Sequence, residues 1–416
     1  MKKIIQQAFF QLRNQPLLSV ITVLGTALAI ALIMVILIVY QAKTADYAPE
    51  VNRSRSLYVK WERTVYDKKD PNSAGHSRPS LWLVKEIFYP LTTPEAVTAT
   101  YEGGEVLVGT VGSDEEMNTP LMLTDAAFWK VYQFRFLAGK PFTEADFQSG
   151  MKQAVIAKSV ARRLFGGAEN AIGKDILVNF AAYTVCGVVD DVNRFCEFTW
   201  SEVYAPYTSN AIASEAEAGQ TSGNNVITIL ARSTDDFDAI RNEVARGVAQ
   251  INTTLGDMEL QLMGQPDNFR MQLNRKFANQ YENLNANFWK YGIMILIILL
   301  VPAINLSGLT NTRMRRRLEE LGIRKAFGAT RNELVWQVLN ENLVLTVMGG
   351  LLGLALAYLF LWLMSDWLLQ TVWGATATMN ASMVSPVIFL IAFGFCLILN
   401  MFSAYVPAWR VAHTPI

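Results

Sequence analysis

The chain has 416 residues, 51% of them hydrophobic, and its 36 basic and 36 acidic residues give a formal net charge of zero. This balance argues against a nucleic-acid-binding protein, which needs a basic surface. Three cysteines without CxxC pairs and only two histidines are poor material for a metal centre. The large hydrophobic fraction instead indicates segments that lie in lipid.

Four apolar segments are long enough to cross a bilayer. The first, residues 17–40, spans roughly 36 Å as a helix. It is longer than the apolar core of a signal peptide and no small-residue cleavage site follows it, so we expect a retained anchor. Three further spans are predicted at residues 291–312, 343–364 and 387–406. The sequence therefore predicts a membrane protein with four transmembrane α-helices.

Basic residues near the span ends predict the orientation. The loop at residues 365–385 has no lysine or arginine and is expected outside, with Trp367 and Trp373 at the interface. The basic residues before the first span and between the second and third are Lys2, Lys3, Arg13, Arg313, Arg315, Arg316, Arg317, Arg324, Lys325 and Arg331. The N-terminus and the segment 313–342 are therefore expected in the cytoplasm, and Arg410 and His413 place the C-terminus there as well, which leaves residues 42–290 outside it.

Residues 42–290 are predicted to form a large mixed α/β extracytoplasmic domain between the first and second helices. Residues 56–62 are strand-like, and residues 81–88 suit a short helix. Residues 96–110 are expected to form an extended pair that turns at Gly103-Gly104.

A second unit of the same kind follows later in the chain. Residues 225–232 predict a strand, and residues 234–255 an amphipathic helix capped by Thr234 or Asp235. Residues 258–263 predict another strand. Two βαβ-like units therefore flank the middle of the domain.

This arrangement predicts one subdomain that is interrupted by an insertion. The subdomain comprises residues 42–110 and 208–265, and the insertion comprises residues 111–207. Residues 154–157 and 183–189 are predicted strands of the insertion.

Two sets of motifs carry a family resemblance. FWKVYQFRFLAGKPFTEADF at 128–147, AVIAKSVARRLFG at 154–166, AIGKDI at 171–176 and YTVCGVVDDV at 183–192 resemble the periplasmic core domain of MacB-like permeases. EELGIRKAFGATRNELVWQVLNENLVL, which starts at Glu319, and the late VPAW motif resemble an FtsX-type permease domain, expected at 291–416. Residues 1–41 then hold the cytoplasmic N-terminal segment and the first helix.

The resemblance implies a multi-pass subunit of the bacterial inner membrane with its large domain in the periplasm. It implies a dimer with a second permease copy or a paralogue, bound to ABC ATPase subunits. A periplasmic adaptor and an outer-membrane channel are further partners that the family suggests, besides membrane lipid. A long helix would couple ATP hydrolysis to movement of the periplasmic domain. The chain departs from MacB-like proteins that carry a fused nucleotide-binding domain, which leaves the cargo open.

If ATP drives this protein, the residues predict that a partner chain binds the nucleotide. The Gly-Lys pairs at 139–140 and 173–174 are followed by proline and aspartate, so neither forms a Walker A motif. We expect no cofactor in this chain, and ATP and magnesium in the partner ATPase. The chain is predicted to be a non-catalytic subunit, because no nucleophile, base or metal constellation is present. A strand-ending turn explains Asp190 and Asp191.

The cytoplasmic segment suits docking of an ATPase. Gly322 and Gly328 would leave a short basic element between them, and Thr330 with Glu333 forms a capping box that opens an amphipathic helix. An ordinary juxtamembrane loop is the alternative. The predicted coupling residues are Glu320, Leu321, Gly322, Ile323, Arg324, Lys325, Gly328, Ala329, Thr330, Arg331 and Glu333.

Small residues in the third span predict close helix packing. Gly349, Gly353 and Ala357 form a small-xxx-small ridge, suited to contact within one permease or between two.

Outside the membrane, an oxidising compartment would permit a disulfide between Cys186 and Cys196. A buried free thiol is the alternative for Cys186, which lies among apolar neighbours.

Two functional hypotheses follow. The first is the permease subunit of an ABC-type export or mechanotransmission complex that releases a peptide, lipoprotein, lipid or drug. The second is a membrane receptor or a regulator of a cell-wall enzyme, acting through the extracytoplasmic domain. The short basic cytoplasmic segments favour the first, because a stand-alone receptor normally carries a cytoplasmic signalling domain. A membrane-anchored enzyme is the least favoured class.

Overall fold

The computed structural model describes residues 16–278 except 111, 113, 114, 215 and 216, the segment 330–368, and scattered residues between 289 and 328 and between 387 and 409. The chain divides into two compact units. The outer unit is Thr44–Leu284, and the membrane unit combines Met1–Lys43 with Asn285–Ile416. Helix α1 (Pro16–Thr44) precedes the outer unit in the chain.

The described part of the outer unit is mixed α/β, as predicted. Its strands are β1 (Ser56–Val59), β2 (Glu62–Val65), β3 (Ala74–Pro79), β4 (Ala96–Gly109), β5 (Glu116–Thr124), β6 (Phe136–Gly139), β7 (Gln153–Ala157), β8 (Asp175–Val178), β9 (Ala181–Val189), β10 (Val203–Pro206), β11 (Ser222–Gly223), β12 (Asn225–Leu230), β13 (Glu259–Gln261) and β14 (Asp267–Asn268). Its helices are α2 (Leu81–Leu83, continued by a π-helical turn, Val84–Phe88), α3 (Phe128–Val131), α4 (Glu144–Gln148), α5 (Lys158–Phe165), α6 (Ala168–Ala171), α7 (Ala211–Ser214), α8 (Phe237–Thr254) and α9 (Phe269–Asn274).

Ten strands form one sheet in the order β14-β1-β12-β4-β5-β10-β7-β9-β6, with β8 pairing to β4 and β9. At one end of the sheet, each strand in the series β14, β1, β12 and β4 is antiparallel to the next. Helix α2 lies between β1 and β4 in sequence, and α8 between β12 and β14. The first predicted βαβ-like unit corresponds to β1, α2 and β4, which form a split βαββαβ arrangement together with β12, α8 and β14. The last strand of the second predicted unit, at 258–263, is wrong in its place, because β13 pairs with β2 in another sheet and β14 lies beside β1 instead.

The predicted insertion contributes strands to this same sheet. Strand β5 pairs antiparallel with β4 and parallel with β10. Strand β8 also pairs with β4. The hydrogen-bonded ladder therefore runs without interruption from the flanking segments into residues 111–207. A separate four-stranded sheet has the order β11-β3-β2-β13.

The glycine pair in β4 is a bulge, so the predicted turn at this point is wrong. Strand β4 is continuous for 14 residues. Its register against β5 shifts between Glu102 and Glu105, and Gly104 has φ of +73°. A bulge places an extra residue in one strand and favours glycine in the left-handed conformation. Alternation around two glycines fits a bulge as well as a hairpin.

Two other predictions on local structure need correction. The single strand expected at 56–62 is divided into β1 and the start of β2. Ser233 caps the 3-10 turn ahead of the long helix: its hydroxyl accepts from the N–H of Asp235 at 3.2 Å, and its own N–H donates to Asp236 at 3.0 Å. The N-cap residue of α8 itself is Asp236, which makes no side-chain cap hydrogen bond. The predicted caps, Thr234 and Asp235, instead lie in a 3-10 turn that leads into α8.

The two faces of the large sheet support separate cores. Leu57 and Tyr58 are neighbours on β1 and point to opposite faces, since strand side chains alternate. Leu57 lies in an aliphatic cluster that includes Ile87 of the π-helical turn and Val244 of α8. Tyr58 lies in an aromatic cluster with, among others, Phe269 of α9. Strand β1 therefore contributes to both cores.

The membrane unit contains α1 and the 38-residue helix α10 (Arg331–Leu368). Within them, Ser19–Ile38 and Leu343–Leu363 are long and apolar enough to span a membrane. These stretches coincide with the first and third predicted spans. The second and fourth predicted spans, 291–312 and 387–406, lie outside the described residues except for isolated helical positions. The number of four spans stays a prediction.

Candidate functional site

A capped turn precedes α10. The N–H of Phe327 donates to the carbonyl of Ile323 at 3.1 Å, and Gly328 follows with φ of +95°. The N–H of Thr330 donates to Glu333 Oε2 at 2.8 Å, and the N–H of Glu333 donates to Thr330 Oγ1 at 3.4 Å. This reciprocal capping box fixes the start of α10. Gly328 supplies a left-handed conformation that a side chain would strain.

The charge of Glu333 suits this position. The backbone N–H of Thr330 and, second, its side chain lower the pKa of the Glu333 carboxyl below its usual value. The carboxylate therefore stays ionised at neutral pH, where the partial positive charge of a helix N-terminus favours it.

Three apolar side chains around the turn are exposed. Phe327 is 88% exposed, Trp336 is 65% exposed and Ile323 is 60% exposed. All three lie before the apolar stretch that starts at Leu343, and residues 331–342 add about 18 Å of helix ahead of it. Large apolar side chains that are exposed outside an apolar stretch mark a candidate protein-docking surface.

Sequence reasoning missed two of these side chains. Ile323 was among the predicted coupling residues, whereas Phe327 and Trp336 were not. The available signal was a pair of large aromatic side chains on either side of Gly328 and Thr330, outside any predicted span. Three more of the predicted coupling residues, Gly328, Thr330 and Glu333, lie in the capped turn, and the backbone alone of Arg331 is described. The remaining ones lie outside the described residues: Glu320, Leu321, Gly322, Arg324, Lys325 and Ala329.

The small-residue ridge of α10 faces α1 of the same chain. A Cβ added at Gly349 would lie 2.8 Å from the side chain of Thr26. One added at Gly353 would lie 2.8 Å from the carbonyl oxygen of Ala27. Ala357 is fully buried in the same cluster of helix contacts. The ridge is therefore occupied by an intrachain contact.

Cys186 and Cys196 are both free thiols, so the disulfide that the sequence left open is not formed. Cys186 Sγ lies 3.4 Å from the carbonyl oxygen of Ala154, and Cys196 Sγ lies 4.0 Å from that of Ala48. Burial raises the pKa of Cys186 to about 12 and that of Cys196 further. Neither thiol is activated at neutral pH.

The paired aspartates after β9 have structural partners. Asp190 lies 3.6 Å from Lys158 Nζ. Asp191 Oδ1 accepts from the N–H of Ser159 at 2.9 Å, within the first turn of α5. Among the residues that the structure describes, no group of three His, Cys, Asp or Glu side chains is placed to hold a metal ion.

A buried carboxylate that the sequence did not indicate lies between β4 and α3. Asp125 Oδ1 accepts from Thr98 Oγ1 at 2.6 Å and from the N–H of Phe128 at 3.0 Å. Its Oδ2 accepts from Tyr89 Oη at 2.7 Å and from the N–H of Ala99 at 2.9 Å. Burial raises the pKa of Asp125, although these four donors favour the ionised form. Asp125 therefore serves to join elements of the fold.

The described residues combine an outer α/β unit with two packed apolar helices that are long enough to span a membrane, an arrangement expected of a membrane protein with one large folded domain. Two family models match the chain: the MacB-like periplasmic core domain at residues 19–246, and the FtsX-like permease C-terminal domain at residues 292–416. The first covers more than half of the sequence. The chain thus belongs to the MacB/FtsX family of ABC transporter permeases, and the resemblance predicted from the sequence is confirmed.

Individual relatives are distant in sequence. The uncharacterized ABC transporter permease YknZ of Bacillus subtilis is 23% identical over 345 residues, which cover 82% of this chain and 81% of YknZ. The macrolide export ATP-binding/permease protein MacB of Wolinella succinogenes is 25% identical over 84% of this chain. The pyoverdine export ATP-binding/permease protein PvdT of Pseudomonas syringae pv. syringae is 27% identical over 56% of it. The chain spans 52% of that MacB and 34% of that PvdT.

Solved structures of related outer domains align partially. The extracellular domain of YknZ from Gram-positive bacteria aligns with a TM-score of 0.36 and 19% identity, over 50% of this chain and 99% of that one. The periplasmic region of MacB from Actinobacillus actinomycetemcomitans aligns with a TM-score of 0.35 and 15% identity, over 49% of this chain and 88% of that one. Both matched family models of this chain describe permease parts.

Proposed function

We propose that this chain is the permease subunit of an export complex in which a separate ATPase subunit hydrolyses ATP and the outer domain moves. The observation that carries the proposal is the capping box of Thr330 and Glu333, with the exposed Phe327 before it and the exposed Trp336 after it. This turn leads directly into α10, a continuous helix of 38 residues and about 57 Å. A stiff helix of that length can carry a displacement from a docked ATPase into the membrane.

The relatives suggest the class of cargo and partners. Two of them are named for export of macrolides and of pyoverdine. We therefore propose export or release of a small amphipathic molecule, a peptide, a lipoprotein or a lipid from the periplasmic side. The proposed assembly holds a second permease copy or paralogue and ABC ATPase subunits that bind ATP and magnesium. An adaptor and an outer-membrane channel would complete it in a two-membrane cell.

The test is co-purification of the native complex in mild detergent, comparing Phe327→Asp with Phe180→Asp. Both residues are exposed phenylalanines, at 88% and 79%, but Phe180 lies on the outer unit in the β8–β9 turn. A buried aromatic anchor contributes about 2 kcal/mol or more to an interface, so we expect Phe327→Asp to reduce bound ATPase roughly 30-fold. Phe180→Asp should leave the bound ATPase unchanged.

Other outcomes would contradict the proposal. Equal ATPase retention by both variants would show that the turn is not the docking site. A wild-type chain that purifies without any ATP-hydrolysing subunit would instead support the receptor or regulator of a cell-wall enzyme.

A further inference from the structure

Arg53 is a buried cation in the segment that leads into the outer unit. We call residues 45–55 the N-terminal connection and residues 263–278 the C-terminal connection of this unit. Arg53 Nε donates to Glu50 Oε2 at 2.7 Å, and Nη1 donates to the carbonyl of Ala45 at 2.8 Å. Nη2 donates to the carbonyl of Phe195 at 2.7 Å. These three hydrogen bonds hold the guanidinium from three directions, and the side chain has no exposed surface.

Glu50 extends this contact to the loop ahead of β10. Its Oε1 accepts from the N–H of Phe198 and from Thr199 Oγ1, both at 3.0 Å. Its side chain is 1% exposed. A buried ion pair whose remaining hydrogen-bonding positions are filled is geometrically restrictive, because any movement would leave a charge without a partner.

The guanidinium of Arg53 also joins the two connections. It lies 4.2 Å from the ring centroid of Tyr47 and 4.8 Å from that of Phe269. Tyr47 belongs to the N-terminal connection, whereas Phe269 is the first residue of α9 in the C-terminal connection. Arginine contacts with aromatic rings are attractive at these distances, and more so away from water.

A second buried pair fixes the C-terminal connection itself. Arg275 Nε and Nη2 both donate to the carboxylate of Asp267, with Nη2 to Oδ1 at 3.0 Å. Arg275 also donates to the carbonyls of Met263 at 3.2 Å and Ala278 at 3.3 Å. Asp267 in turn pairs with Tyr58 of β1. The C-terminal connection is thus anchored on β1, the strand that directly follows the N-terminal connection.

We propose that Arg53, held between Tyr47 and Phe269, is a positioning residue that holds the two connections together as one rigid base of the outer unit. A displacement of either connection would then move the outer unit as a single body, instead of bending a local segment. Discrete packed contacts of this kind transmit movement because they do not deform continuously. The inference goes beyond the proposed function, and rests on it only for the source of the displacement.

The test is hydrogen exchange of the full-length chain in lipid nanodiscs, without nucleotide or partner. Phe269→Leu removes the ring on Arg53 but keeps both ion pairs, and Arg53→Met removes the cation. We expect each variant to accelerate amide exchange by about ten-fold or more in both connections, since local opening would become easier. Amides of β7 and β9 in the core should keep their wild-type rates.

Arg55→Met is the matched control. Arg55 lies two residues away, donates to Glu95 Oε2 at 2.7 Å and to the carbonyl of Ala231 at 2.9 Å, and is 31% exposed. Its loss should leave exchange in the C-terminal connection unchanged.

The proposal is overturned if Phe269→Leu accelerates exchange only in the C-terminal connection, or if Arg55→Met loosens both connections equally. If Arg53→Met also accelerates exchange of the β7 and β9 amides, this variant has misfolded, and the result for Phe269→Leu alone tests the proposal. No ATPase takes part in this measurement. If hydrogen exchange behaves as expected but Phe327→Asp retains the ATPase, only the proposed ATPase coupling is refuted. If Phe327→Asp loses the ATPase but hydrogen exchange contradicts the expectation, only the rigid base is refuted.

Discussion

Single carboxylates in the outer unit show how burial sets their chemistry. Glu62 is fully buried, and its described partners are hydroxyls: Thr64 Oγ1 donates to Oε2 at 2.6 Å, and Ser222 Oγ donates to Oε1 at 3.1 Å. Burial raises the pKa of Glu62 above its usual value of 4.5, and these hydrogen bonds oppose the rise only in part. The carboxyl therefore holds its proton more tightly in the folded than in the unfolded chain.

This difference predicts a pH-dependent effect of Glu62→Gln. Above pH 4.5 the unfolded chain releases the Glu62 proton first, so the free energy of unfolding of the wild type falls until pH passes the raised folded pKa. Glutamine has no proton to lose. We expect the melting temperature of Glu62→Gln to match that of the wild type near about pH 4 and to exceed it at about pH 8.

Thermal unfolding of the full-length chain in detergent, followed by intrinsic fluorescence, measures this difference. Glu105→Gln, at an exposed position of the β4 bulge, is the control and should show no such trend. A Glu62→Gln variant that is less stable by the same amount at every pH would contradict the argument.

At the scale of elements, the glycines of α10 are explained by their distance from α1. Gly353 leaves no room for a methyl group beside the Ala27 carbonyl. Among the described residues, by contrast, a methyl group added at Gly25 of α1 would have no neighbour within 4 Å. The same substitution should therefore have opposite effects at these two sites.

We expect Gly353→Ala to destabilise the helix pair by about 1–3 kcal/mol, because the helices must separate to accept the methyl group. Gly25→Ala should be neutral or stabilise by up to about 1 kcal/mol, since alanine favours the helix more than glycine does. Denaturation of both variants in mixed detergent micelles measures the difference. Equal behaviour of the two variants would show that the ridge does not limit packing.

At the scale of the whole molecule, the outer unit depends on a sheet that continues through the predicted insertion. Val106 and Val108 of β4 are 4% and 0% exposed, and both pair with β5. Removing residues 111–207 would uncover this edge of β4. The flanking subdomain is therefore not expected to be stable alone.

We expect a chain in which a Gly-Ser linker replaces residues 111–207 to lose cooperative thermal unfolding, because unpaired strand edges and exposed apolar area are costly. Circular dichroism and limited proteolysis measure this. The same linker placed after Asp70, in the exposed turn between β2 and β3, should be tolerated. A deleted chain that melts cooperatively near the wild-type temperature would show that the insertion folds separately.

Local signals in the sequence were sufficient for part of this description. The predicted strand at 225–232 and helix at 234–255 correspond to β12 and to the 3-10 turn with α8, because alternation and helical periodicity are properties of neighbouring residues. The capping box at Thr330 and Glu333 is likewise a local pattern. The turn predicted at Gly103-Gly104 was wrong because a bulge depends on the partner strand β5.

The sequence by itself determined the class of the protein, the first and third apolar stretches, the mixed α/β outer domain and the family, since these depend on composition, periodicity and contiguous motifs. The tertiary structure alone decided that the insertion shares the sheet and that the glycine ridge meets α1. It also decided that Arg53 lies against Phe269. Contacts between residues far apart in the chain leave no local pattern, because they form only when folding brings distant segments together. For Arg53, folding also removes the charged side chain from water.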